Sequence, residues 1–187
     1  MVEMPNGSSK NNTSMNEIWG GYRVKIAMLI VDMQNGCYED TNEKAMFLDA
    51  AEYINDVSEL FREKRLPVVV VQDLEVGDGE GSKAFEVHES VTVKPNDIVV
   101  HKVFSNSFWE TPLDNILKEL GVDFVLISGF AAEYCITFTY GGAVERGYDV
   151  SLLQNGIAGM EKSGIQDIQR IRPVIDHNVL RYFINNA

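Results

Sequence analysis

The stretch Lys25-Ile26-Ala27-Met28-Leu29-Ile30-Val31-Asp32 is a continuous apolar run that ends in a carboxylate. It is short and does not alternate, so it reads as a strand buried on both faces. Such strands occur in parallel sheets covered by helices on each side. The next segment agrees: Met46, Ala50, Ile54, Val57 and Phe61 recur at helical spacing, and Pro67 stops the pattern. Val68 to Val71 then read as a second buried strand ending near Asp73, and Ile98-Val99-Val100 as a third.

Thr111-Pro112 followed by Asp114 predicts a helix start, with Leu113, Ile116, Leu117 and Leu120 as its apolar face and Gly121 as its stop. Phe124 to Ser128 read as a fourth strand, Cys135 to Arg146 as a helix stopped by Gly147, and Val150 to Leu153 as a fifth strand. In the tail, Ile168, Ile171 and Ile175 suggest a helix with Pro173 awkwardly placed, and Val179 to Ile184 suggest a strand. The expectation is an α/β domain whose parallel strands end along one edge, where open sheets of this kind take ligands. Residues 17–187 are assigned to that single domain and residues 1–16, polar and rich in Asn and Ser, to a flexible arm tethered by a segment with Trp19.

The chain has 187 residues, 45% hydrophobic and 24% charged, which suits one globular domain with a sizeable core. Sixteen basic against 28 acidic residues leave a net charge of -12. That charge disfavours nucleic acid and anionic membrane surfaces as partners. Cys37 and Cys135 are too few for a disulfide scaffold. No signal-peptide pattern is read, so the expected compartment is cytoplasmic.

Three residues fall where the sheet edge needs them. Asp32 follows strand one, Lys102 follows strand three, and Cys135 opens the helix after strand four. A helix N-terminus and an ammonium both favour a thiolate, and Asp32 could take the thiol proton and later give it to a leaving nitrogen. Each residue also has an ordinary reading: a small buried cysteine, a turn-forming aspartate, a solvated lysine. It is their shared edge that makes chemistry competitive.

The blocks Ala27-Met28-Leu29-Ile30-Val31-Asp32-Met33-Gln34-Asn35, His101-Lys102-Val103-Phe104-Ser105-Asn106-Ser107-Phe108 and Ser128-Gly129-Phe130-Ala131-Ala132-Glu133-Tyr134-Cys135 resemble the isochorismatase-like cysteine hydrolases in order and spacing. Gly147-Tyr148-Asp149-Val150 also fits, so the resemblance runs from about Lys25 to Gly159. It implies a three-layer α/β/α sandwich with a mainly parallel, Rossmann-like central sheet. It implies Asp32 as acid/base, Lys102 as charged supporter and Cys135 as nucleophile, with a cis peptide between Phe130 and Ala131. It also implies an oxyanion hole from the Ala131 and Cys135 N–H groups, and assembly into dimers or tetramers.

Two departures narrow the reading. Relatives that cleave vinyl ethers lack the nucleophilic cysteine, so Cys135 argues against that chemistry. Nicotinamidases add a metal at an Asp-x-His motif, whereas this chain has Gln72-Asp73-Leu74-Glu75; no metal or other cofactor is expected, although Asp73 or Glu75 could hold a cation weakly. Gln34, Phe104, Phe108, Trp109 and Tyr134 are the candidate substrate-binding side chains. The function expected is hydrolysis of a small amide, carbamoyl or related C–N compound through a thioester. The alternative is a binding protein of the same fold without turnover.

Overall fold

The computed structural model describes residues 25–186. The arm at 1–16 and the tether lie outside the described residues. Six strands form one sheet: β1 (Ile26–Val31), β2 (Val68–Asp73), β3 (Ile98–Lys102), β4 (Phe124–Gly129), β5 (Asp149–Ile157) and β6 (Val174–Ile175). Every neighbouring pair is parallel and the order is β3-β2-β1-β4-β5-β6. The chain therefore reverses its direction of growth between β1 and β4, the place where doubly wound sheets open a crevice.

The pleat sorts the continuous apolar strands into two cores. Met28, Ile30, Val68, Val70 and Leu126 face α2 (Lys44–Glu63) through Phe47, Ile54, Val57 and Phe61. α1 (Asn35–Asp40) adds Cys37, and α6 (His177–Asn186) adds Leu180 and Ile184, to that side. Ala27, Leu29, Val31, Val69, Val71 and Ile127 face α3 (Leu113–Glu119), α4 (Thr137–Glu145) and α5 (Lys162–Ile171) on the other. This is the expected three-layer sandwich. Among the described residues no helix is long and apolar enough to cross a membrane.

The tail corrects the sequence reading. Val179–Ile184 is helix, not strand, and Ile175 belongs to β6 rather than to a helix. Asp176 starts α6 by accepting the Asn178 and Val179 N–H groups on Oδ1, a side-chain cap that favours helix over strand. Leu180 and Ile184, one turn apart, then face inward while Tyr182 and Phe183 stay exposed. Pro173 sits in the connection between α5 and β6, and its carbonyl accepts the Leu152 N–H at 2.9 Å. Its missing N–H therefore costs no sheet bond at this position.

Candidate functional site

Strand order brings the chemistry together. Asp32 leaves β1 at φ 51°, a left-handed conformation that Asp tolerates better than most residues. Its carboxylate is buried, with a side chain 2% exposed. Lys102 ends β3, two strands away, a separation of about 10 Å. Its side chain must cross the end of β2, where Asp73 pairs with it in register. The fully buried ammonium lies 2.6 Å from Asp73 Oδ2, 2.8 Å from Asp32 Oδ2 and 3.5 Å from Cys135 Sγ. The Asp32 contact is an ion pair by distance and lacks hydrogen-bond alignment, which leaves both Asp32 oxygens without a hydrogen-bond donor among the described residues.

Cys135 does not open an α-helix. It sits inside a π-helical turn, Ala132–Ile136, that precedes α4. The turn follows the end of β4, where the strand lies tight against its parallel neighbour β1: a Cβ on Gly129, at φ 117°, would collide with the Val31 carbonyl. The Phe130–Ala131 peptide is cis, as the resemblance implies. Ala131 O accepts the N–H groups of both Tyr134 and Ile136, whereas the N–H groups of Ala131 and Cys135 have no acceptor outside the turn among the described residues. Glu133 ties the turn to the segment after β5, accepting the Met160 N–H at 3.0 Å and the Glu161 N–H at 3.1 Å.

Burial pushes the Asp32 carboxyl up to about 6 against the pull of Lys102. Burial also works against charge on Lys102, but Asp32 and the other anionic partners outweigh it and hold the ammonium above its ordinary value. The thiol differs from the sequence expectation. Burial, then the Asp32 charge, push Cys135 up to about 12, and Lys102 offsets only part of this. At neutral pH the resting site is thus a thiol beside a carboxylate that can accept its proton.

A family model for the isochorismatase domain matches residues 26–177. The chain belongs to the isochorismatase family. The uncharacterized family protein YddQ of Bacillus subtilis is 30% identical over 142 residues, covering 71% of this chain and 77% of that protein. The secreted isochorismatase effector Isc1 of Verticillium dahliae is 27% identical over 150 residues, covering 78% of each chain. The crystal structure of N-carbamoylsarcosine amidase from Thermoplasma acidophilum superposes with a TM-score of 0.73 at 24% identity, covering 83% of this chain and 98% of that one.

Within this isochorismatase-family fold, two of the expected pocket residues are buried. Gln34 is fully buried, and its amide is spent on Asp73 and Phe85 rather than facing a ligand. Phe108 is core: it stacks on Tyr148 at 5.8 Å between ring centroids, and the Arg146 guanidinium lies over its face. Phe104, Trp109 and Tyr134 are exposed, on segments that follow Lys102 or precede Cys135. Ser107 and Asn106 brace the loop after β3. Ser107 N–H donates to Thr139 Oγ1, Asn106 Oδ1 accepts the Phe108 N–H, and the Asn106 amide fills the space a Cβ on Gly142 would need.

Asp73 is the site residue that the sequence alone presents only as a weak cation ligand. Asp32, Asp73 and Cys135 converge within 4.8 Å of one another, but the Lys102 ammonium stands at contact distance from all three. That donor set does not fit a divalent ion, because an internal cation already takes its place and no histidine joins the cluster. His88 instead packs against Tyr38 and Phe47, His101 against Phe85, and His177 against Tyr53.

Proposed function

We propose that this protein is a cysteine-dependent hydrolase of a small amide, carbamoyl or related C–N substrate. The observation that carries the reading is the Lys102 ammonium in simultaneous contact with Asp32 and Cys135 Sγ. In the first half-reaction Asp32 takes the Cys135 proton as sulfur attacks the carbonyl carbon. The carbonyl oxygen takes the negative charge and rests on the Ala131 and Cys135 N–H groups. Collapse breaks the C–N bond, Asp32 gives its proton to the leaving nitrogen, and a thioester remains. Water then loses a proton to Asp32 and attacks the thioester; the C–S bond breaks and the thiolate recovers the proton.

A relative named as an N-carbamoylsarcosine amidase supports the bond class, since that name describes cleavage of a C–N bond to a carbonyl. Phe104, Trp109 and Tyr134 are proposed as the substrate rim. We also propose a cytoplasmic location and assembly into a dimer or tetramer, tested by cell fractionation and by sedimentation; recovery outside the cell, as the name of the Verticillium dahliae relative describes for that protein, would overturn the first.

The test is ammonia or amine release across a panel of neutral and charged amides and carbamoyl compounds. Wild type is expected to turn over at least one member. Cys135→Ala is expected to lose that turnover completely, and intact mass is expected to show an acyl adduct on wild type only. Turnover by Cys135→Ala at the wild-type rate would sink the nucleophile. A folded wild type that neither turns over nor labels would favour the binding-protein alternative.

A further inference from the structure

The acid that Lys102 crosses is held as firmly as the lysine itself. Gln34 brackets the Asp73 backbone, accepting its N–H on Oε1 at 2.8 Å and donating Nε2 to its carbonyl at 3.1 Å. The same Nε2 donates to Phe85 O at 2.8 Å, which fixes the amide in turn. Asp73 Oδ1 accepts the Glu75 N–H at 2.9 Å and leaves Oδ2 for the ammonium at 2.6 Å. The Asp73 carboxylate therefore has one orientation, aimed at Lys102.

The proposed reaction gives that second carboxylate work. Each time Asp32 takes the thiol proton it becomes neutral and the Asp32–Lys102 ion pair is lost. A buried ammonium left with no other anion would be strongly disfavoured. We propose that Asp73 is a positioning residue that keeps the Lys102 ammonium charged and in register while Asp32 carries the proton. The proposal rests on the acid/base reading of Asp32.

Lys102 from β3, Asp73 from β2 and Cys135 from the π-helical turn lie against Asp32, and Cys37 on α1 is near enough to feel its charge. Lys102 favours the carboxylate, while the Asp73 charge opposes it. Removing that charge should make Asp32 easier to ionise, so the pH at which it becomes a base should fall.

The experiment is alkylation of Cys135 by iodoacetamide from pH 4 to 9, followed by peptide mass, with buried Cys37 as internal control. Wild type is expected to show a rise in rate with a midpoint near 6 as Asp32 ionises. In Asp73→Asn and Asp73→Ser the midpoint is expected to fall below that of wild type. Asp73→Glu, which keeps the charge, is expected to return it toward wild type. A purely structural role would alter the rate without moving the midpoint. The proposal is overturned if the midpoint stays or rises in folded neutral variants, or if neither neutral variant folds. The readout needs no substrate. A midpoint change in a protein that hydrolyses no amide would therefore end the proposed function and leave this role for Asp73 standing.

Discussion

Asp32→Asn is expected to stabilise the protein while abolishing turnover. The folded carboxyl titrates at about 6, against 3.8 as its ordinary value. The native state therefore holds the proton more tightly than the unfolded chain, and ionisation in the native site costs stability. The cost is nearly absent below 3.8, where both states are protonated, and grows as pH rises toward 6. Above that it is constant at about 3 kcal/mol, since a tenfold difference in proton affinity between the folded and unfolded chain corresponds to about 1.4 kcal/mol. Asn has the shape of the protonated acid and accepts the φ of 51° at least as readily. Lys102 keeps Asp73 as its counter-ion in the variant. Urea unfolding at pH 8 should show Asp32→Asn more stable by about 3 kcal/mol, and at pH 4 most of that gain should be gone. A variant no more stable than wild type at pH 8, or a gain equal at both pH values, would refute the claim that this buried carboxylate is held at a cost.

Two further substitutions test the frame around the site. Arg62 grips the buried carboxylate of Asp97 through Nε at 2.9 Å and Nη2 at 2.8 Å, and also reaches Ser58 Oγ and Thr92 O. Arg62→Ala leaves that carboxylate unpaired and is expected to cost about 3–5 kcal/mol in urea unfolding, with Arg62→Lys recovering less than half, because an ammonium cannot reproduce the two-pronged contact. Gly129→Ala places a methyl group against the Val31 carbonyl at a φ of 117°. It is expected to cost about 3 kcal/mol or more, read as a lowered melting temperature, and a neutral effect would mean that the β1–β4 contact at Val31 is looser than described.

The sheet is legible in the sequence because both-face burial writes continuous apolar runs such as Ile26–Val31, and the helices between them carry their own period. Asp32, Lys102 and Cys135 are legible because a parallel sheet sends every strand end to one edge. Asp73 lies on that edge too, yet its part is not readable. Lys102 must pass over it only because β2 lies between β3 and β1, and strand order is a tertiary fact. The same limit hides Gln34, whose partners lie 39 and 51 residues away. Phe108 looks like its exposed neighbours Phe104 and Trp109, since nothing local shows that its ring meets Tyr148. The α6 helix is different: Asp176 before Asn178 and Val179 is a cap signal within the sequence, outweighed by the β-branched and aromatic content of Val179–Ile184.

The electrostatics also constrain how the proposed reaction can proceed. Burial, then the Asp32 charge, push the Cys135 thiol up to about 12, so free proton transfer from it to Asp32 is uphill. Part of that is returned on transfer, because the charge that repels the thiolate is the one that disappears when Asp32 is protonated. Typical turnover of about 1–1000 per second allows a total barrier of about 13–17 kcal/mol. A fully preformed thiolate would therefore take part of that allowance before any carbon–sulfur bond formed. Coupling the transfer to attack avoids this: negative charge leaves sulfur for the carbonyl oxygen as it develops, and moves toward the Ala131 and Cys135 N–H groups, which have no acceptor outside the turn among the described residues. The nucleophile is then made by the arrival of substrate rather than stored at rest, and the two N–H groups matter to deprotonation as much as to the tetrahedral adduct.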